Sequence, residues 1–309
     1  MKRALVLLLS VAALVAGCGS SAGSSSSSGG SASGGSSSVS TNTAAGVLAA
    51  ASAATKGATS AGFDAKLGVQ VSGNLAAAGP SAAMLQGPIT LDLKGHAGSA
   101  GGKSKFDVNF ALNFKGGSFT GEALTPDGKT LYLQLPALMG PGWKSLPLKG
   151  LTSAGQSNST TSGGLDALKA EGLDPSKWLK NLSLSTSGGE DTISADLDLE
   201  AVFADIAKFG KSGLTAKDKA QMNQVVQAVK KAHGSLSFDS STHLPTNESL
   251  QFAMEVPPSL SSQASGLKGI SLNLDIKFSD WNKDFTVTAP SGATPLNTGG
   301  LLGGLGAGA

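Results

Sequence analysis

Strict alternation of apolar and polar residues, repeated along the chain, is the feature that most limits what this sequence can form. Phe63, Ala65, Leu67, Val69 and Val71 alternate with Asp64, Lys66, Gly68, Gln70 and Ser72. Phe106, Val108, Phe110, Leu112 and Phe114 alternate with Asp107, Asn109, Ala111, Asn113 and Lys115. The same period runs through Ile89-Leu91-Leu93, Leu131-Leu133-Leu135, Ile193-Ala195-Leu197, Leu250-Phe252-Met254-Val256 and Ile270-Leu272-Leu274-Ile276-Phe278. A period of two places every apolar side chain of a strand on one face, so each segment is a strand with one buried side. Lys115-Gly116-Gly117, Pro126-Asp127-Gly128 and Ser187-Gly188-Gly189 are short turn signals, and short turns join antiparallel neighbours.

Helical patterns interrupt the strands. Thr43 to Lys56 is alanine-rich and weakly amphipathic through Val47, Leu48 and Ala51. Asp174-Pro175 is a good N-cap and first-turn pair for a short helix carrying Trp178 and Leu179. Leu199, Val202, Phe203, Ile206 and Phe209 share one helical face that ends at Gly210. Thr215, with Asp218 three residues on, opens a further helix whose stripe is Met222, Val225, Val226 and Val229. The class is therefore α+β, an antiparallel sheet with a few helices to cover its apolar face. A sheet of about nine or ten strands must curl or leave that face bare.

Incomplete curling around the helices leaves an apolar cavity. Its candidate wall is Phe106, Val108, Phe110, Leu112 and Phe114 on one strand and Leu250, Phe252 and Met254 on another. Val202, Phe203, Ile206, Phe209 and Val226 are the candidate lid. Ordinary core packing is the alternative role for each of them.

The N-terminus sets the expected compartment. Met1-Lys2-Arg3 precedes a run from Ala4 to Ala16 that is apolar except for Ser10, the layout of a secretory signal. The run is too short for a membrane span, which takes about 20 apolar residues. It ends in Val15-Ala16-Gly17-Cys18, which resembles the bacterial lipobox, and Cys18 is the only cysteine. A lone cysteine in an exported chain has no partner for a disulfide, and acylation gives it a use. The expected protein is thus lipid-anchored on the extracytoplasmic face of a cell membrane, with residues 1–17 as signal.

Residues 19–40 are 19 Gly or Ser out of 22, a composition that forms a flexible spacer of about 25 Å root-mean-square reach. Residues 18–42 therefore read as lipidated cysteine and tether, 43–290 as one domain, and 291–309 as a glycine-rich tail without stable structure. The stretch 154–164 reads as a loop within the domain. Removing residues 1–17 leaves 21 basic against 21 acidic side chains. That balance excludes the basic stripe of a nucleic-acid binder and a polybasic lipid-head patch, so attachment rests on acyl chains.

No catalytic constellation stands out, and no metal or cofactor is expected. The three histidines have no partner at ligand spacing: His96 reads as a strand end, His233 as a helix C-terminus and His243 as a turn. Gly117-Ser118-Phe119-Thr120-Gly121 has the spacing of a nucleophile elbow but enters a strand instead of a helix. Asp196, Asp198 and Glu200 read as a solvated strand face. Asn158-Ser159-Thr160, Asn181-Leu182-Ser183 and Asn247-Glu248-Ser249 match the sugar-acceptor triplet by chance.

Three segments carry a family resemblance. Leu236-Ser237-Phe238-Asp239-Ser240-Ser241-Thr242-His243-Leu244-Pro245 is a strand, an Asp-x-x-Thr turn and Leu-Pro. Ile276-Lys277-Phe278-Ser279-Asp280-Trp281-Asn282-Lys283 precedes Phe285-Thr286-Val287-Thr288-Ala289-Pro290, and Leu173-Asp174-Pro175-Ser176-Lys177-Trp178-Leu179 lies mid-chain. Together they resemble the LppX/LprG-type lipoproteins of actinobacteria, relatives of the LolA carriers, over roughly residues 45–290. The resemblance implies a strongly curved antiparallel half-barrel whose concave side is plugged by helices, with an acylated lipid or lipoglycan between sheet and helices. It also implies an envelope transport protein as partner. The long Ser/Gly tether, the 154–164 insertion and the scarcity of aromatics depart from the family. Two functions fit: a lipid-binding or lipid-carrying envelope lipoprotein, or an accessory lipoprotein that binds another envelope protein through a fully packed domain.

Overall fold

The computed structural model describes residues 41–74, 87–100, 103–148, 175–209, 223–224, 226–257 and 266–296. Cys18, the tether, the 154–164 loop, Met222 and Val225 lie outside these residues, as do the side chains of Phe203, Ile206 and Phe209.

Alternation becomes one twelve-stranded sheet: β1 (Ser60–Gly73), β2 (Gly87–Ala100), β3 (Lys103–Phe114), β4 (Gly117–Thr125), β5 (Thr130–Gln134), β6 (Lys144–Pro147), β7 (Leu179–Ser187), β8 (Glu190–Leu197), β9 (Val229–Asp239), β10 (Pro245–Glu255), β11 (Leu267–Ser279) and β12 (Thr294–Pro295). The order is β12-β6-β5-β4-β3-β2-β1-β11-β10-β9-β8-β7. Two meanders are thus sewn together where β1 pairs antiparallel with β11, Leu67 opposite Leu274. The sheet is curved and is not closed into a barrel. Among the described strands, β12 alone runs parallel to its neighbour, Thr294 opposite Lys144, so the sheet continues past the boundary read from sequence at residue 290.

Local chemistry sets the turns. Gly116, at φ 120°, allows the β3–β4 hairpin that a side chain would strain. Asp127 accepts from the backbone N–H of Lys129 and Thr130 between β4 and β5. Asp239 closes the β9–β10 hairpin by accepting from the N–H and hydroxyl groups of both Ser241 and Thr242. Those bonds pull its carboxyl down to about 2, with the Ser241 hydroxyl the largest contribution.

Helix α1 (Ala44–Lys56) is capped by Thr43, whose hydroxyl accepts from Gly46 N–H at 3.1 Å. Its Val47 and Ala51 pack with Ile193 and Phe238, flanked by Leu184 and Leu236, so α1 lies on one face of β7–β9. Helix α2 is one turn, Pro136–Met139, and helix α3 spans Leu199–Phe209. Asp198 caps α3 by accepting from Ala201 N–H. The buried Asp205 of α3 accepts from Trp178 Nε1 at 2.9 Å.

Pro175–Trp178 is a single 3-10 turn, and Leu179 already belongs to β7 because it pairs with Leu197. Val229 ends no helical stripe, since it opens β9 opposite Met254. His96 sits inside β2 and His233 inside β9, not at a strand end or a helix terminus. Asp196 lies on β8, Asp198 caps α3 and Glu200 starts its first turn, so the three share no strand face. In each case pairing with a distant strand, or a cap, overrides the local pattern.

Candidate functional site: the apolar face of the sheet

The register converts separate alternating strands into continuous apolar rows. One row reads Leu250, Leu274, Leu67, Leu91, Leu112 and Phe119 across β10, β11, β1, β2, β3 and β4. The next runs Ala232, Phe252, Leu272, Val69 and Ile89. A third runs Leu184, Ile193, Leu236, Glu248, Ile276, Ala65, Leu93, Phe110 and Gly121 from β7 to β4. Side chains directly opposite each other across a ladder share a face, so these rows form one surface. Gly121 lets the Phe110 ring lie across β4, since a Cβ there would come within 2.5 Å of the ring.

The opposite face carries several charged pairs. Lys66 pairs with Asp92 at 3.6 Å, and His96 lies 3.2 Å from Asp107. Phe285 stacks on His96, and Lys105 Nζ lies 4.4 Å from the Phe285 ring centre.

The candidate wall residues share this apolar face. Phe106, Val108, Phe110, Leu112 and Phe114 line β3, and Leu250, Phe252 and Met254 line β10. Four ladder spacings separate the two strands, about 19 Å along the sheet. All eight side chains are half-buried. Among the described residues, α1 covers β7–β9 on this face, and α2 lies against β4. Val202 on α3 and Val226 are also half-buried. Val226 lines a cleft of about 360 Å³ with Val229, Leu197, Leu199 and several charged groups, among them Asp196 and His233. There Asp196 is held below the usual carboxylate range, first by the Asn181 amide and then by His233, whose Nδ1 is 2.9 Å away.

One residue of the face was missed in the sequence. Glu248 occupies the third row between Leu236 and Ile276, with 9% of its surface exposed. Its Oε2 is buried and has no hydrogen-bond partner, and burial pushes the carboxyl up to about 7. The signal was present, because Glu248 is in phase with Leu250, Phe252 and Met254. Two further orphaned polar atoms, Thr246 Oγ1 and His243 Nδ1, lie just before it on the same hairpin.

The two segments around Pro245 and Trp281 that carry the resemblance fasten strand ends. Trp281 Nε1 donates to Pro245 O at 2.8 Å and the ring meets Phe278. Asn282 Oδ1 accepts from Thr59 N–H, and the Ser60 hydroxyl donates to Lys283 O. Asp280 and Asn282 hold positive φ in this turn. No family model matches the chain, and no curated protein matches it.

Proposed function

We propose that this protein is a lipoprotein of the LppX/LprG type, a half-barrel with helices on its concave side that binds or carries a lipid or lipoglycan between sheet and helices. It acts by burial and not by catalysis. Signal removal exposes Cys18, whose acyl chains anchor the protein on the outer face of the membrane, and the Gly/Ser tether lets the domain reorient there. An envelope transport protein is its partner class.

The observation that carries this reading is the extent of the apolar face. One row, Leu250, Leu274, Leu67, Leu91, Leu112 and Phe119, runs unbroken from β10 to β4, and Phe106, Val108, Phe110, Leu112 and Phe114 of β3 with Leu250, Phe252 and Met254 of β10 are only half-buried. A continuous apolar surface of that length marks a binding site or an interface. Acyl chains laid along it gain roughly 0.8 kcal/mol for each methylene buried.

Native mass spectrometry of the full chain, purified from a bacterial membrane fraction, tests the reading. A co-purifying lipid released by denaturation supports it. Preparations that neither contain nor take up lipid would overturn it in favour of an accessory protein that docks on another envelope protein.

A further inference from the structure

Glu248 is the exception in its row. From Leu184 on β7 to Gly121 on β4, every other member of that row is Leu, Ile, Ala, Phe or Gly. A carboxyl oxygen buried without a partner, as Glu248 Oε2 is, carries a desolvation cost that a leucine or methionine at the same place would not. Neither neighbouring strand offers relief: Leu236 and Ile276 stand opposite it, and Leu250 follows it on its own strand. Among the described residues no side chain supplies the partner that would offset this cost.

We propose that Glu248 is the polar anchor of the lipid site, its carboxyl O–H donating to the ester carbonyl or hydroxyl oxygen of an uncharged acyl lipid whose chains lie along the flanking leucine rows. This rests on the lipid-binding reading above. A carboxyl held near neutrality by burial is a hydrogen-bond donor much of the time at physiological pH. A cationic headgroup fits worse, because burying an ion pair costs more than its attraction returns unless further hydrogen bonds satisfy both charges. An anionic phosphate fits worst, since among the described residues no basic side chain faces Glu248 and deprotonation of the carboxyl would set like charges together.

Few other charges can disturb it. The apolar-face residues of β9 and β11 around it, Gly234, Leu236, Phe238, Leu274, Ile276 and Phe278, do not titrate. Among the described residues, Asp191 on β8, bonded to the Thr186 hydroxyl at 2.7 Å, and His243 in the preceding turn are the nearest titratable side chains by register. Helix α1 contributes Lys56 alone, at its far end.

The test loads the detergent-solubilised full chain with 1,2-dioleoylglycerol, dioleoylphosphatidic acid or squalene, and measures retained lipid by mass spectrometry after gel filtration. Glu248→Leu should retain about tenfold less dioleoylglycerol than wild type, the scale of one buried hydrogen bond, while squalene is held equally. Glu248→Gln, which keeps a donor, should retain most of the diacylglycerol. Wild type should release dioleoylglycerol, but not squalene, between pH 5.5 and 8.5, a comparison that needs no substitution. Equal retention of dioleoylglycerol by wild type and Glu248→Leu, or retention of phosphatidic acid as strong as that of dioleoylglycerol, would overturn the anchor and leave lipid binding standing. Failure of every variant to hold any of the three would overturn both.

Discussion

Replacing Glu248 by Gln or Leu should expose a pH-dependent cost that the fold carries. The carboxyl moves from an ordinary 4.5 to about 7 on folding because it is buried. At about 1.4 kcal/mol for each tenfold change in proton affinity, that displacement is worth about 3 kcal/mol. The sign follows from proton counting. Between pH 4.5 and about 7 the folded state binds more protons at this site than the unfolded chain does. Stability therefore falls as pH rises through that window, and the penalty is complete above it. Urea unfolding at pH 5 and pH 9 measures this directly, and the difference between wild type and variant cancels titrations elsewhere. Wild type should lose about 2.5 kcal/mol more than Glu248→Gln across that range, since part of the penalty is already present at pH 5, with little change in the urea slope. Glu248→Leu should be the more stable protein at pH 9, because it removes the buried charge and adds apolar burial. Parallel pH profiles for wild type and Glu248→Gln would refute the reasoning, since a solvated or paired carboxyl would have produced them.

Other residues give independent tests. Cys18→Ala should leave an unprocessed precursor or a protein that stays out of the detergent phase; partition identical to wild type after signal removal would refute the lipid anchor. Phe238→Ala, which empties a 3%-exposed site under α1, should cost about 3–5 kcal/mol in urea unfolding; a loss below about 1 kcal/mol would mean that α1 is not seated on β8 and β9. Val202→Trp and Val226→Trp separate a cavity from a packed core, because overpacking costs about 1–3 kcal/mol and filling empty space does not. A carrier predicts that at least one of these variants keeps near-normal stability and loses co-purifying lipid. Asp239→Ala should remove an acid-sensitive contribution: the folded carboxyl sits at about 2 instead of 3.8, so its stabilisation is full above 3.8 and fades as pH falls toward 2. Acid unfolding midpoints compare the two proteins, and an unchanged acid slope would mean that the turn bonds are not kept in solution.

The sequence by itself determined the parts of this protein that are local. A period of two makes strands wherever it occurs, and so Phe63–Val71, Phe106–Phe114 and Ile270–Phe278 were legible without any partner. The Asp239 turn was legible too, since it closes on backbone groups within three residues. Tertiary structure decided what depends on pairing between distant segments. It drew Val229 and Leu179 into strands, set His96 and His233 inside ladders, and joined the two meanders through β1 and β11. It also decided the meaning of Glu248. Alternation says which side of β10 its side chain takes, but only the registers against Leu236 and Ile276 make that side an apolar row, because the free energy of a buried carboxyl depends on what stands opposite it.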